Sequence, residues 1–113
     1  MPCLNLSTNV DLDGIDLDPI FAELTKCVST IMGKPEHFVM VLIKGSVEIS
    51  FGKNKEAAAY GEVVAMGGLD SAVKKRLIAE IGAILKNRFD IPNTRFFLKV
   101  YDTTMAAKLN SKI

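Results

Sequence analysis

KPEHFVMVLIKG, residues 34–45, recurs in outline as IPNTRFFLKVYD, residues 91–102, at an offset of 57 residues. In both stretches a proline (Pro35, Pro92) and a polar turn lead into a β-rich run. The sequence ahead of them aligns as well: Leu24, Cys27 and Val28 fall opposite Ile81, Ile84 and Leu85, and Ile20 falls opposite Leu77. Positions 20, 24, 27, 28 and 31 follow the spacing of one helical face, and only Arg88, opposite Ile31, departs from the match. Upstream, CLNLST (3–8) aligns with YGEVVA (60–65). Each half therefore reads strand, helix, strand. The period exceeds those of solenoid repeats and there are two copies. The pattern predicts a duplicated βαβ unit, with halves of about 1–52 and 58–104, inside a single domain spanning 1–113.

Local signals agree. Asp18-Pro19 offers an N-cap and a first-turn proline, and Gly33 a stop. Asp70 or Ser71 can cap the second helix, which is expected to run to about Arg88. FGKNKEAAAYG (51–61) links the halves, and a short extra strand is expected at 47–51. Right-handed crossovers put both helices on one face of a four-stranded mixed sheet, an α+β arrangement. FVMVLI (38–43) and RFFLKVY (95–101) are apolar at both parities, so both faces of the sheet call for burial. This chain has nothing left to cover the second face. An oligomer whose sheets face one another is expected.

Composition points the same way. Apolar residues make up 49% of 113, rich for one small core. With 14 basic and 13 acidic residues, net charge gives no reason to expect nucleic acid or an anionic membrane surface. No apolar run spans a bilayer and no signal peptide precedes the first strand, so an intracellular, reduced protein is expected. Cys3 and Cys27 show no metal or redox spacing, and Cys27 falls on a helix face as a small hydrophobe. His37 reads as a surface residue of a turn and KKR (74–76) as a solvated helix face. GG at 67–68 lacks the rest of any nucleotide fingerprint.

MPCLNLSTNV, GKPEHFVMV, SFGKNKEAAAYGEVVAMGGL and IPNTRFFLKVYD together resemble the macrophage migration inhibitory factor and D-dopachrome tautomerase family, most closely its plant members, over nearly the whole chain through Asp102. The resemblance implies a homotrimer in which three sheets enclose a central barrel, with active sites at the subunit interfaces. It also implies removal of Met1, so that Pro2 becomes the amino terminus and the catalytic base. That would explain a proline directly ahead of a strand, where it cannot donate to the ladder. Inside a chain its nitrogen is a tertiary amide without basicity. At a terminus it is a secondary amine, and an unperturbed α-amino group titrates near ~8. An apolar pocket lowers that value by disfavouring the cation, toward the working pH that suits a general base.

The implied reaction is keto–enol tautomerisation of a small aromatic α-keto acid such as phenylpyruvate, with no cofactor. Lys34 in GKP matches the family lysine that binds the substrate carboxylate. As a residue alone it reads as a lysine favourable to a helix C-terminus. Met66 and Val39 resemble pocket-wall positions, and Val39 reads better as core. Phe97 stands where the animal cytokine has a pocket-mouth tyrosine, so the ring remains without its hydroxyl. Lys99 replaces a neutral asparagine; it either adds a cation for the carboxylate or is a solvated edge lysine. AAYG (58–61) lies where the family has a CxxC pair, so no thiol-oxidoreductase activity of that kind is expected. The tail TTMAAKLNSKI (103–113) replaces a Gly-Trp-Asn-type segment that packs on the next subunit. These departures imply reduced turnover, and they make a cytokine-like trimer that binds a receptor protein the alternative function. Ser111-Lys112-Ile113 resembles a peroxisomal address, with the cytoplasm as the alternative location.

Overall fold

The computed structural model describes residues 1–104. Six elements follow in chain order: β1 (Cys3–Thr8), α1 (Asp18–Met32), β2 (Met40–Lys44), β3 (Ala59–Ala65), α2 (Ser71–Phe89) and β4 (Phe96–Asp102). The sheet order is β2-β1-β3-β4. β1 runs parallel to β2 and β3 parallel to β4, each pair bridged by its helix, while β1 and β3 are antiparallel. The duplicated βαβ unit is therefore present. Its likeness extends to a single 3-10 turn after each proline, Glu36–Phe38 in the first half and Asn93–Arg95 in the second.

The helix-facing parity of each strand is apolar. Leu4, Leu6, Ala59, Val63 and Ala65 are buried there, beneath Ile20, Leu24, Val28 and Ile31 of α1 and Leu77, Ile81, Ile84 and Leu85 of α2. These are the helix positions that the repeat aligned. Arg88, the one mismatch, bonds Glu23 across the two helices at 3.1 Å. It ties the helices at their solvent margin, where a second isoleucine would have gained little burial.

Two local expectations need correcting. α1 begins one residue earlier than the Asp18 cap implies: Leu17 is the N-cap, Pro19 sits in the first turn, and the Asp16 carboxylate accepts the Asp18 N–H at 3.0 Å. At 47–51 no strand forms. Ser46, Gly52 and Lys53 all take positive φ, which breaks the extended chain on both sides. What remains is a bond from the Val47 N–H to the Thr8 carbonyl and an isolated bridge between Phe51 and Asn54. The other caps form as read. Asp70 accepts from the Val73 N–H at 2.9 Å, and Gly33 takes a left-handed φ of 65°.

The linker between halves is held by side chains rather than by a strand. Asn9 Nδ2 donates to the carbonyls of Lys55 and Glu56, and Asn9 Oδ1 accepts the Ala58 N–H. Arg95 donates to the carbonyls of Phe51, Glu56 and Ala57, and its guanidinium lies 5.0 Å from the Phe51 ring centroid. Gly61 follows on the helix-facing side of β3. A Cβ there would stand 2.9 Å from Leu6 Cδ2 and 3.0 Å from Leu98 Cδ1. Replacing Gly61 by Ala should cost about 1–3 kcal/mol through overpacking. Urea unfolding would show this as a lower midpoint at unchanged slope; an unaltered midpoint would mean that the core yields freely around that atom.

Candidate functional site

Pro2 sits at the mouth of the sheet, between β2 and β3. Its ring is fully buried. Its carbonyl accepts the Met40 N–H at 3.0 Å, the first rung of the parallel ladder. Cys3 pairs with Met40 on one side and Val64 on the other, so Pro2 lies level with Val39 and Ala65. Met1 projects outward, 79% exposed, and borders a shallow depression of about 480 Å³ lined also by Phe21, His37, Phe38, Val39 and Met40. The wall is mixed: Thr25 and His37 stand among its apolar side chains, and Pro2 is not part of it. Val39 borders this depression and packs against the core.

Lys34 and Met66 belong to the same end of the molecule. Lys34 directly follows the left-handed Gly33 cap of α1, and its backbone is fixed by Ser29 on both sides: the Lys34 N–H donates to the Ser29 carbonyl and Ser29 Oγ donates to the Lys34 carbonyl. The chain then turns through Pro35 into β2, beside Pro2. Met66 follows Ala65 at the end of β3 and is exposed. Asp102 fixes this end of the sheet. Its Oδ1 accepts the N–H groups of Gly67 (3.1 Å) and Thr104 (2.9 Å), and the Thr103 N–H bonds the Ala65 carbonyl.

Phe97 and Lys99 do not join them. Phe97 pairs with Tyr60, which pairs with Ser7, five residues along β1 from Pro2. At about 3.3 Å per residue this is roughly 16 Å along the strands alone. Both side chains also stand on the sheet face away from the helices, whereas Pro2 shares the helix-facing parity of Leu4 and Leu6. That open face is a grid of three rows: Met40, Cys3, Val64 and Tyr101; Leu42, Asn5, Glu62 and Lys99; Lys44, Ser7, Tyr60 and Phe97. It is less uniformly apolar than the sequence implied, with a charged pair in its middle row. Phe97 and Met40 are nonetheless 59% and 56% exposed.

Two groups of residues near these positions escaped the sequence reading. Phe38, His37 and Met40 border the depression beside Met1. Tyr60 and Glu62 adjoin Phe97 and Lys99: the Tyr60 hydroxyl donates to Glu62 Oε1 at 2.9 Å, and the Tyr60 and Phe97 rings stack with centroids 5.9 Å apart. The Glu62 bond, reinforced by burial and by the carboxylate charge, holds the Tyr60 phenol above its usual range. Residues 60 and 62 sit two apart in a strand, so their shared face was available from alternation. Burial pushes the Cys27 thiol up to about 11, with a further rise from Glu80. Burial also raises Cys3, aided by Glu62. Among the described residues no group of three or more His, Cys, Asp or Glu could hold a metal, and no helix is long and apolar enough to cross a membrane.

Residues 1–111 match the family model for macrophage migration inhibitory factor. A Trichuris trichiura homologue of that factor is 29% identical over 102 residues, 90% of this chain and 89% of the relative. The Xenopus laevis factor is 26% identical over 106 residues, covering 94% and 91%. Among solved structures, the Prochlorococcus marinus homologue superposes with a TM-score of 0.84 at 25% identity, covering 88% of this chain and 87% of that one. The Trichinella spiralis structure does so at 0.81 and 23%, with 88% of each chain covered, a likeness of fold.

The Asp102 carboxyl is held below the usual carboxylate range, chiefly by the Thr104 backbone N–H, then by the Thr104 hydroxyl and the Gly67 N–H. A lowered folded value means that its contribution is present above the unfolded value of about 3.9 and fades as pH falls through the folded one. Replacing Asp102 by Ala should therefore lower the melting temperature at pH 7 and leave a smaller difference from the parent protein at pH 2–3. Thermal scans across that range check it.

Proposed function

This chain belongs to the macrophage migration inhibitory factor family, and on that premise we propose that it is a cofactor-free keto–enol tautomerase. Its substrate is a small aromatic α-keto acid such as phenylpyruvate. It works as a homotrimer, with the Pro2 nitrogen as general base after loss of Met1. The observation that carries the reading is the buried Pro2 ring at a strand end, next in sequence to Met1, which borders a depression. Once unblocked there, the amine is poorly hydrated and stays neutral at a lower pH than a free terminus. It takes a proton from the carbon next to the ketone and returns it to the oxygen, so no electron leaves the substrate and no redox partner is needed. Lys34, at the same end of the sheet, holds the carboxylate, and its charge also favours the enolate. Met66 packs against the ring of the substrate.

A second copy completes the site. Within one chain Phe97 and Lys99 are too far from Pro2 to touch the same small molecule, and they project from the uncovered face. Asn5 Oδ1, also on that face, is buried without a hydrogen-bond partner, an acceptor that a donor from a neighbouring copy would satisfy. A binding trimer with little turnover is the alternative, favoured by the missing hydroxyl at Phe97. A receptor protein would then be its partner.

Spectroscopic decay of phenylpyruvate enol tests the enzyme. The parent protein should accelerate it, and Pro2→Gly should lower kcat/KM roughly 10²-fold, within the usual range for a positioned base. Mass spectrometry must show Met1 absent, and light scattering three copies. Equal background rates for both proteins would leave only the binding alternative. For location, Ser111-Lys112-Ile113 lies outside the described residues, and we propose that it directs the chain to peroxisomes. A fluorescent protein fused ahead of the chain should collect in those organelles and become cytoplasmic when the last three residues are deleted. Unchanged distribution would refute the address.

A further inference from the structure

The Lys99 side chain is not paired with the acid beside it. Glu62 is its register partner across β3 and β4, yet Glu62 Oε1 accepts the Tyr60 hydroxyl, and Lys99 Nζ lies 5.7 Å from the centroid of the Tyr101 ring. Between them is a hollow of about 170 Å³ lined by Glu62, Val64, Lys99 and Tyr101. The carboxylate and the ammonium thus face the same small space without closing on each other. On the next row Tyr60 stacks on Phe97 with an interplanar angle of 16°. Of the two β4 residues that a copy would lend to its neighbour, Phe97 is therefore backed by an aromatic residue of β3, Tyr60, and Lys99 by an acidic one, Glu62.

We infer that Glu62 and Tyr60 set the substrate specificity of this site: Glu62 offsets the Lys99 charge and Tyr60 holds the Phe97 ring, so the lent wall accepts an uncharged aromatic group and disfavours a second carboxylate. The inference rests on the proposed two-copy site. In it, Lys34 is the cation that is free to meet the substrate carboxylate, and it suits one anionic group. The added lysine would turn the wall cationic if it stood alone, and an α-keto dicarboxylate would then fit better than an aryl one. Glu62 removes that preference at short range, where screening by salt is least effective. Its hydrogen bond to Tyr60 keeps the carboxylate in the row of Lys99 rather than free to swing into solvent. Tyr60 in turn fills the flank of the Phe97 ring, so the ring presents a flat face instead of rotating away.

The test compares phenylpyruvate with oxaloacetate, whose second carboxylate takes the place of the phenyl group. Enol–keto conversion of both is measured for the parent protein, Glu62→Gln and Glu62→Gln/Lys99→Met, with circular dichroism confirming that each is folded. In Glu62→Gln the ratio of kcat/KM for oxaloacetate to that for phenylpyruvate should rise about five-fold, mostly through KM, the size expected of one partly screened charge pair. In the double variant it should return to within two-fold of the parent. The same ratio is read without turnover from the binding of succinate and 3-phenylpropionate by calorimetry. If the parent protein converts neither keto acid, the tautomerase reading fails while the binding ratio still reports on Glu62. A ratio that Glu62→Gln leaves unchanged, or a protein that binds neither analogue, overturns the inference.

Discussion

The antiparallel pairing of β1 with β3 is the constraint on which the molecule rests. It is the ladder that joins the two βαβ halves, and it makes both strands central, each flanked on two sides. From its register everything about the site follows. Setting Cys3 against Val64 brings Pro2 level with Ala65 and so with the Met66 turn. The same register carries Phe97 to the far end of the sheet through Tyr60 and Ser7. A slip of one residue would turn Leu4 and Leu6 out to the open face and Cys3 and Asn5 into the core. The buried leucines therefore constrain the site indirectly: burying them fixes the face toward which Pro2 turns.

The consequence is that, among the described residues, the candidate site residues form two separate groups rather than one pocket. The end that holds Pro2 has a depression and a nearby lysine. The open face has the aromatic ring and two opposite charges, Glu62 and Lys99, that do not close on each other. Desolvation and charge act in the same direction on the proposed base. In the proposed reading, burial would disfavour its cation, and the charge of Lys34 at the same end of the sheet would do so too. The carboxylate of a bound substrate works against both, raising the affinity of the nitrogen for a proton once the substrate arrives. A base so placed would be weakest when empty and would strengthen on binding, which suits the proposed reaction, in which a proton is taken up and given back in place.

Much of the fold was legible because it is written twice. The face formed by Ile20, Leu24, Val28 and Ile31 has its counterpart in Leu77, Ile81 and Leu85, and agreement between two copies separates real periodicity from chance. The extra strand at 47–51 was misread for the opposite reason: β-rich composition is present there, but backbone conformation at Ser46, Gly52 and Lys53 overrides it. Propensity does not record a left-handed turn at serine or lysine. The resemblance nominated individual residues for a site, yet their distance apart was not legible, since register is a property of the ladder rather than of any one strand. Tyr60 and Glu62 were visible as neighbours on one face. Their pairing with Phe97 and Lys99 appears only once β3 and β4 are set side by side.

Under the proposed function, duplication also leaves one chain with one base and not two. At the offset of the repeat, Pro2 corresponds to Ala59, Lys34 to Ile91, Met40 to Phe97 and Leu42 to Lys99. Ala59 occupies the matching strand start, buried on the same parity, but its nitrogen lies within the chain and is an amide. No substitution at that position supplies a basic amine. Ile91 then has no anion to hold and is fully buried in the core. The second half is thereby released from the chemistry of the first, and its strand β4 is free to carry a ring and a cation on the outward parity where β2 carries Met40 and Leu42. In the proposed reading, two similar folding units hold different parts of one site because a basic backbone amine has to be terminal, and a chain has a single amino terminus.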